Sequence, residues 1–316
     1  MKKALLIVNP RSGRGAVRRY LLDIINTFSE KGISLTTYVT QEKSDAFRVA
    51  KREAGNYDVI ACTGGDGTLD EVVAGISKSG YKPTIGYIPS GSTNDYAHSL
   101  QLPNDMKKAA RIIVEENPFT VDIGTFNDWY FVYVVAFGVF SDVSYRTDQD
   151  MKNMLGHMAY ILEGTKSLLD IKPYPMTITI DDDLVLEGDF IYGMVANSES
   201  VGGMANITGN DVELDDGYFE VVLVRNPVTP FDWQPIISGL LNKQSDGQFI
   251  YYLKAKKVHI VSEEEIAWTV DGEDGGSHNT AEILVHEKML DIFVDKEYLY
   301  LLKNRNKEIS VQEEWK

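Results

Sequence analysis

Two hydrophobic rhythms divide the chain. Up to about Pro118, unbroken apolar runs alternate with stretches whose apolar residues recur at helical spacing. Ala4-Leu5-Leu6-Ile7-Val8 is the first run, and a strand with no polar alternation is one covered on both faces. Val17, Tyr20, Leu21, Ile24 and Phe28 then recur on one helix face, with Gly32 placed to end it. Ile33 to Thr40 is rich in β-formers, and Ser44 is placed to cap a helix running to about Ala54. Asp58 to Cys62 and Thr84 to Ile88 read as further strands. Leu69 to Ser79, Thr93 to Leu100 and Met106 to Glu116 read as helices, the first closed by Gly80 and the last by Asn117-Pro118. This alternation predicts an open parallel sheet with helices on both faces.

After Pro118 the pattern changes. Phe126-Asn127-Asp128-Trp129 reads as a hairpin turn between Thr120–Thr125 and Tyr130–Gly138, and a helical pattern runs from Asn153 to Leu169. Short strands follow at Met176–Ile180, Leu184–Glu187, Phe190–Ala196, Tyr218–Val224, Lys257–Val261 and Ile283–Val285. Asp181-Asp182-Asp183 and Asp215-Asp216-Gly217 have the composition of turns. The expected fold is therefore an N-terminal α/β parallel-sheet domain followed by a C-terminal antiparallel β-sandwich.

Composition narrows the function. The 316 residues are 43% apolar and carry a net charge of −16, which argues against a general nucleic-acid binder. The charge is uneven: residues 1–60 hold eleven Lys and Arg against six Asp and Glu. Arg14, Arg18 and Arg19 crowd the first loop and helix, where they could meet an anionic lipid surface. The single cysteine, Cys62, allows no internal disulfide and reads as a small buried strand residue. The apolar run at Ala4–Val8 is too short for a signal peptide, and Phe131–Phe140 is too short to span a bilayer. A cytoplasmic protein without a transmembrane helix is expected.

Three loops fall where a ligand collects in an open α/β sheet, at the carboxyl ends of the strands. They are Asn9-Pro10-Arg11-Ser12-Gly13-Arg14-Gly15, Thr63-Gly64-Gly65-Asp66-Gly67-Thr68 and Pro89-Ser90-Gly91-Ser92-Thr93-Asn94-Asp95. Each joins a strand to a helix N-terminus, whose unpaired N–H groups suit a phosphate. Asp66 would repel phosphate, so an acid there calls for a cation, such as the Mg²⁺ carried by a nucleotide. Neither a Walker A nor a Rossmann glycine pattern spans these loops.

NPRSG at 9–13, GGDGT at 64–68 and PSGSTNDYA at 89–97 resemble the diacylglycerol kinase catalytic domain, and more closely the soluble bacterial lipid kinases related to sphingosine kinase. The resemblance continues through Val121-Asp122-Ile123-Gly124, Glu213-Leu214-Asp215-Asp216-Gly217 and Asp271-Gly272-Glu273 and covers nearly the whole chain. It implies an ATP site in the first domain, a β-sandwich second domain, catalysis between them, and a C-terminal segment that returns to the first domain. Domains at 1–118 plus about 300–316, and at 119–299, follow. It also implies that Asn9, Pro10, Arg11, Ser12, Gly13, Thr40, Gly64, Gly65, Asp66, Gly67, Thr68, Leu69, Asp70, Glu71, Ser92 and Asn94 line the nucleotide. Asp66 would hold the nucleotide's Mg²⁺ through water, and Glu273 would be the general base toward a hydroxyl. A second, structural Mg²⁺ would take Asp216 and backbone oxygens of Glu213 and Tyr218.

The implied activity is ATP-dependent phosphorylation of a lipid hydroxyl, with diacylglycerol giving phosphatidic acid. The lipid would be reached peripherally at the inner membrane surface. Whether the chain forms a homodimer is left open. GGDGT is shared with NAD kinases, so a kinase of a soluble substrate such as NAD is one alternative, and a catalytically silent nucleotide-binding regulator is another. The family pattern has Asn where this chain has Asp70, Thr at Ser92 and Arg at His98, and its proline and alanine are replaced within Asn206–Asn210. Asp70 adds negative charge near the phosphates and His98 removes a fixed positive one. These departures bear on the substrate more than on the reaction class.

Overall fold

β1 (Lys3–Val8) is buried along all of its length but the first residue, the reason its sequence shows no polar alternation. The computed structural model describes residues 1–138, 171–202, 204, 205, 208 and 212–313. β1 pairs in parallel with β2 (Ser34–Val39) and β3 (Val59–Gly64), and β3 pairs in parallel with β4 (Thr84–Pro89). The register sets Leu5 between Thr36 and Ile60, so polar residues begin where the sheet reaches its β2 edge. Around it, α1 (Val17–Glu30) buries Val17, Ile24 and Phe28, and α3 (Asp66–Ser77) and α5 (Met106–Glu115) bury their own apolar stripes. Between β2 and β3 lies α2 (Asp45–Glu53), and after β4 comes the short α4 (Asp95–Ser99). Gly75 lets α2 and α3 meet, since a Cβ there would lie 2.5 Å from the Phe47 carbonyl oxygen.

The chain divides into two units, Met1–Val121 with Leu290–Lys316, and Asp122–Met289. The sequence places the return to the first unit at about 300, yet the chain re-enters it at Leu290. The reason is strand pairing: β15 (Glu273–Phe293) ends beside β4, with Ile292 parallel to Ile85. Leu290, Ile292, Phe293 and Val294 are buried there. The final helix, described to Glu313, sets Tyr298 edge-on to Phe119 with centroids 5.7 Å apart.

The second unit is antiparallel. β5 (Pro118–Phe126) enters it and turns at Asn127, whose φ of +50° suits a two-residue hairpin, into β6 (Trp129–Phe131). β7 (Val134–Gly138), β8 (Tyr174–Ile180), β9 (Leu184–Ala196), the short pair β10 (Ser200–Val201) and β11 (Met204–Ala205), β12 (Phe219–Arg225), β13 (Ile250–Ala255) and β14 (Lys257–Val270) follow. β7 and β8 each pair with both β9 and β14, at different stretches of those long strands. Phe126 and Phe137 pack on Trp268, and Phe131 on Phe219, at centroid distances of 4.9, 5.0 and 5.6 Å.

Several elements differ from the sequence reading. Leu184–Glu187 and Phe190–Ala196 are one strand, because β8 keeps its register with β9 across Gly188 and Asp189. β14 and β15 run far beyond Lys257–Val261 and Ile283–Val285: their pairing breaks at the polar run Ser262–Glu265 and resumes from Ile266 to the turn at Val270 and Glu273. The helix Trp233–Asn242 and strand β13 were not expected. Ser44 lies at φ +62° and makes no side-chain cap to α2. The helical pattern at Asn153–Leu169, and most of Asn206–Asn210, lie outside the described residues.

Candidate active site

The three loops of the first unit close on one another. The Asn9 side chain donates from Nδ2 to Thr68 Oγ1 at 2.9 Å, and its Oδ1 accepts the Arg11 N–H at 3.0 Å. Ser12 Oγ donates to the Ser90 carbonyl at 3.0 Å, while the Ser90 N–H donates to the Gly64 carbonyl at 2.7 Å. Gly13 sits at φ +52° against the same Ser90 carbonyl, where a Cβ would fall 2.1 Å from the oxygen. Gly91 meets Gly65 so closely that a Cβ on Gly91 would lie 2.6 Å from the Gly65 Cα. Asn94 (φ +54°) pins that loop, its Oδ1 accepting the Gly91 N–H at 2.8 Å. The glycines thus serve loop-to-loop packing as well as backbone exposure.

GGDGT is not the exposed loop its composition suggests. Gly64 ends β3, Gly65 caps α3, and Asp66 is the first helical residue, only 9% exposed. One Asp66 oxygen accepts the Asp95 N–H at 3.1 Å, the other the Tyr96 N–H at 3.3 Å, and Thr93 Oγ1 lies 3.4 Å away. The acid ties the start of α3 to the start of α4, and its orientation is set by backbone donors. With both oxygens engaged by N–H groups, this hard donor suits a contact to Mg²⁺ through the ion's water and not a direct bond.

Other assigned residues are placed differently. Leu69 is core, 1% exposed. The Glu71 carboxylate accepts the Ser44 N–H at 2.7 Å and the Ala46 N–H at 3.1 Å, so it caps α2 from the neighbouring helix. Thr40 donates its N–H and its hydroxyl to the Val8 carbonyl, at 2.9 and 3.3 Å. Ser92 and His98 are exposed. Cys62 is fully buried, and burial pushes its thiol well above the usual range, as suits a packed strand residue.

Within the second unit, Glu273 is the first residue after a two-residue turn between β14 and β15, closed by the pair Val270 and Glu273. Asp271 and Gly272 take φ +48° and +76°, the left-handed values that Asp-Gly supplies to such a turn. Glu273 is exposed, whereas Asp271 is 3% exposed.

The Asp215-Asp216-Gly217 loop of the same unit is braced by Asp122, which sequence reading left without a role. Asp122 accepts the Gly217 N–H at 2.6 Å and the Lys288 N–H at 2.7 Å. Burial raises its carboxyl, against the pull of those two amides. Asp216 accepts the Tyr218 N–H at 2.9 Å and pairs with Lys254 Nζ at 2.7 Å. Lys254 also lies 3.5 Å from Glu220, whose carboxyl burial pushes up to about 8. A carboxylate is the donor type a hard cation takes, and Lys254 would be its competitor for Asp216.

This pairing of an α/β unit built on phosphate-type loops with an antiparallel second unit defines a two-domain kinase architecture. Residues 3–126 match the diacylglycerol kinase catalytic domain, and residues 133–294 the YegS C-terminal NAD kinase beta sandwich-like domain. The chain belongs to the diacylglycerol kinase family, phosphotransferases with an alcohol acceptor. It is 33% identical to a diacylglycerol kinase of Staphylococcus saprophyticus over 87% of this chain and 90% of that one. It is 33% identical to a diacylglycerol kinase of Staphylococcus aureus over 92% of each. A crystal structure of a diacylglycerol kinase from Bacillus anthracis superposes with a TM-score of 0.73 at 27% identity, over 94% of this chain and 98% of that one. An NAD kinase from Archaeoglobus fulgidus, solved with ATP, shares the fold alone, at a TM-score of 0.53 and 14% identity over 95% of this chain and 97% of that one.

Proposed function

We propose that this chain transfers the γ-phosphoryl group of ATP to the hydroxyl of diacylglycerol, giving phosphatidic acid. The observation that carries the reading is the closure of three strand-to-helix loops around Asp66 in the first unit. The first unit is read as a parallel-sheet nucleotide-binding domain and the second as the lipid-substrate domain. Asn9 to Gly13, the Gly64–Thr68 backbone, Thr40, Ser92 and Asn94 hold the nucleotide. Leu69 and Asp70 contribute through the helix that Asp66 starts, and Glu71 through the α2 terminus it caps. Glu273 accepts the proton of the lipid hydroxyl as its oxygen bonds to the γ-phosphorus and the bond to the ADP oxygen breaks. Asp66 would hold the nucleotide's Mg²⁺ through water, and that ion would supply positive charge to offset charge on the transferring group. Glu213, Asp216 and Tyr218 are the residues for a second, structural cation.

No described helix is long and apolar enough to cross a membrane. Peripheral contact with anionic lipid at the inner membrane surface, from the cytoplasmic side, is therefore the reading for access, with exposed Arg18 and Arg19 in the docking role.

The test is transfer of label from ATP to diacylglycerol, a sphingoid base, a monoacylglycerol, phosphatidylglycerol or NAD, each offered separately with Mg²⁺. Label is expected in phosphatidic acid, and Glu273→Gln should fold normally while turnover falls about 10²–10⁴-fold. Label on NAD alone would replace the lipid reading. Wild-type turnover in Glu273→Gln would remove the base assignment.

A further inference from the structure

We propose that Asp271, two residues before Glu273, is a positioning residue that fixes the hairpin carrying the base. It is not a second acid of the chemistry. The inference rests on reading Glu273 as the base. Asp271 is 3% exposed, and its carboxylate is engaged from both oxygens. One oxygen accepts the Val132 N–H at 2.6 Å; the other accepts the Tyr133 N–H at 3.0 Å and the Val134 N–H at 2.9 Å. The Asp271 N–H returns the contact by donating to the Val134 carbonyl at 2.8 Å. Four hydrogen bonds therefore join one turn residue to Val132–Val134, where the chain leaves β6 and enters β7. That segment is itself fixed, because the Asn197 N–H donates to the Tyr133 carbonyl at 2.9 Å.

Only Gly272 separates this anchor from Glu273. A Cβ on Gly272 would lie 3.5 Å from the Tyr133 hydroxyl, so the turn lies against the same segment. The residue types follow from the geometry. An acid offers acceptors alone, which three converging N–H groups require. An aspartate also tolerates the positive φ of the turn. A carboxylate so engaged is poorly placed to coordinate a metal or bind phosphate. Its work is to keep Glu273 where a proton can reach it, and an error of about 1 Å in such a group can cost about 10²-fold in rate.

The test uses the full chain with diacylglycerol in mixed micelles. Asp271→Asn keeps the shape but turns an NH₂ toward at least one N–H. It is expected to lower kcat about 10²-fold while leaving KM for ATP and the Mg²⁺ dependence at wild-type values. Asp271→Asn/Glu273→Gln should be no slower than Glu273→Gln alone, because a positioning residue has nothing left to position. A further loss in the double variant, a changed Mg²⁺ dependence, or wild-type kcat in Asp271→Asn would overturn the proposal. Wild-type turnover in Glu273→Gln beside a dead Asp271→Asn would overturn it too, and would separately end the base assignment. Should Asp271→Asn not fold, hydrogen exchange on the wild type decides. The Val132, Tyr133 and Val134 amides are expected to be protected with the β14–β15 hairpin, and free exchange at them would overturn the anchor.

Discussion

At the residue scale, the motifs contain glycines of two different kinds. Gly32 (φ +69°) has nothing within 4 Å of where a Cβ would stand, so it is needed only for its backbone conformation. Gly13 (φ +52°) has that demand and a contact as well, with the Ser90 carbonyl oxygen 2.1 Å from a would-be Cβ. Gly32→Ala should therefore cost about 1–2 kcal/mol of left-handed strain and leave ATP binding intact. Gly13→Ala should add an overpacking cost of about 1–3 kcal/mol. It should also lose the ATP-induced rise in Tm, because the first and third loops can no longer meet. Thermal melts with and without MgATP separate the two. Equal losses in both variants would mean that backbone strain alone accounts for Gly13. The pattern NPRSG made Gly13 legible as a site residue, but the Ser90 carbonyl that demands it is 77 residues away in the chain. Asp271 is the same case, since its three amide partners lie more than 130 residues upstream.

At the element scale, α2 shows where sequence reading stops. Ser44 has the chemistry of an N-cap, but its φ of +62° turns it away from that role. The free N–H groups are instead taken by Glu71, from the next helix. Glu71→Ala should cost about 1 kcal/mol, the usual worth of a cap, and deprotect the Ser44 and Ala46 amides in hydrogen exchange. A loss of ATP affinity without those changes would return Glu71 to the nucleotide. Asp45 completes the terminus. Its carboxyl is held below the usual range, first by the Gln41 N–H and then by Tyr38 and Arg48. A depressed folded value means the stabilisation is complete above the unfolded value of about 3.9 and is lost as pH falls through the folded one. Asp45→Asn should thus flatten the acid limb of Tm against pH below about 4, with little change in slope near neutrality. Local signals sufficed for α1, β1, β3, β4 and the Asn127 hairpin, where one strong pattern meets one strong stop. They failed for β14 and β15, because the polar run Ser262–Glu265 interrupts the pattern while the pairing resumes beyond it at Ile266, with β7 on the other side of β14. They failed also for β9, which Gly188 seemed to end but which β8 pairs straight through.

At the scale of the whole molecule, the first unit is built from two ends of the chain. Residues 1–121 supply the three loops and pair one edge of β4 with β3, but the other edge of β4 is covered by the returning β15, and Leu290, Ile292, Phe293 and Val294 fill the core there. Residues 1–121 expressed alone should therefore lack a cooperative melt, since β4 would present a bare edge and an unfilled face. The break can be repaired at one place. Thr120 Oγ1 donates to Asp291 at 2.7 Å, and the Val294 N–H donates to the Asn117 carbonyl at 3.0 Å. Those two bonds tie the segment ending at Val121 to the one beginning at Leu290, so a short glycine-containing linker is designed to join them in place of residues 122–289. The joined chain is expected to unfold cooperatively and to show an MgATP-induced rise in Tm, yet to transfer nothing, because Glu273 has been removed with the second unit. Cooperative unfolding of residues 1–121 alone would show that the returning segment is dispensable to the fold. A well-folded joined chain that ignores MgATP would mean that the three loops are not sufficient for the nucleotide, and part of its site would then have to be sought in residues 122–289.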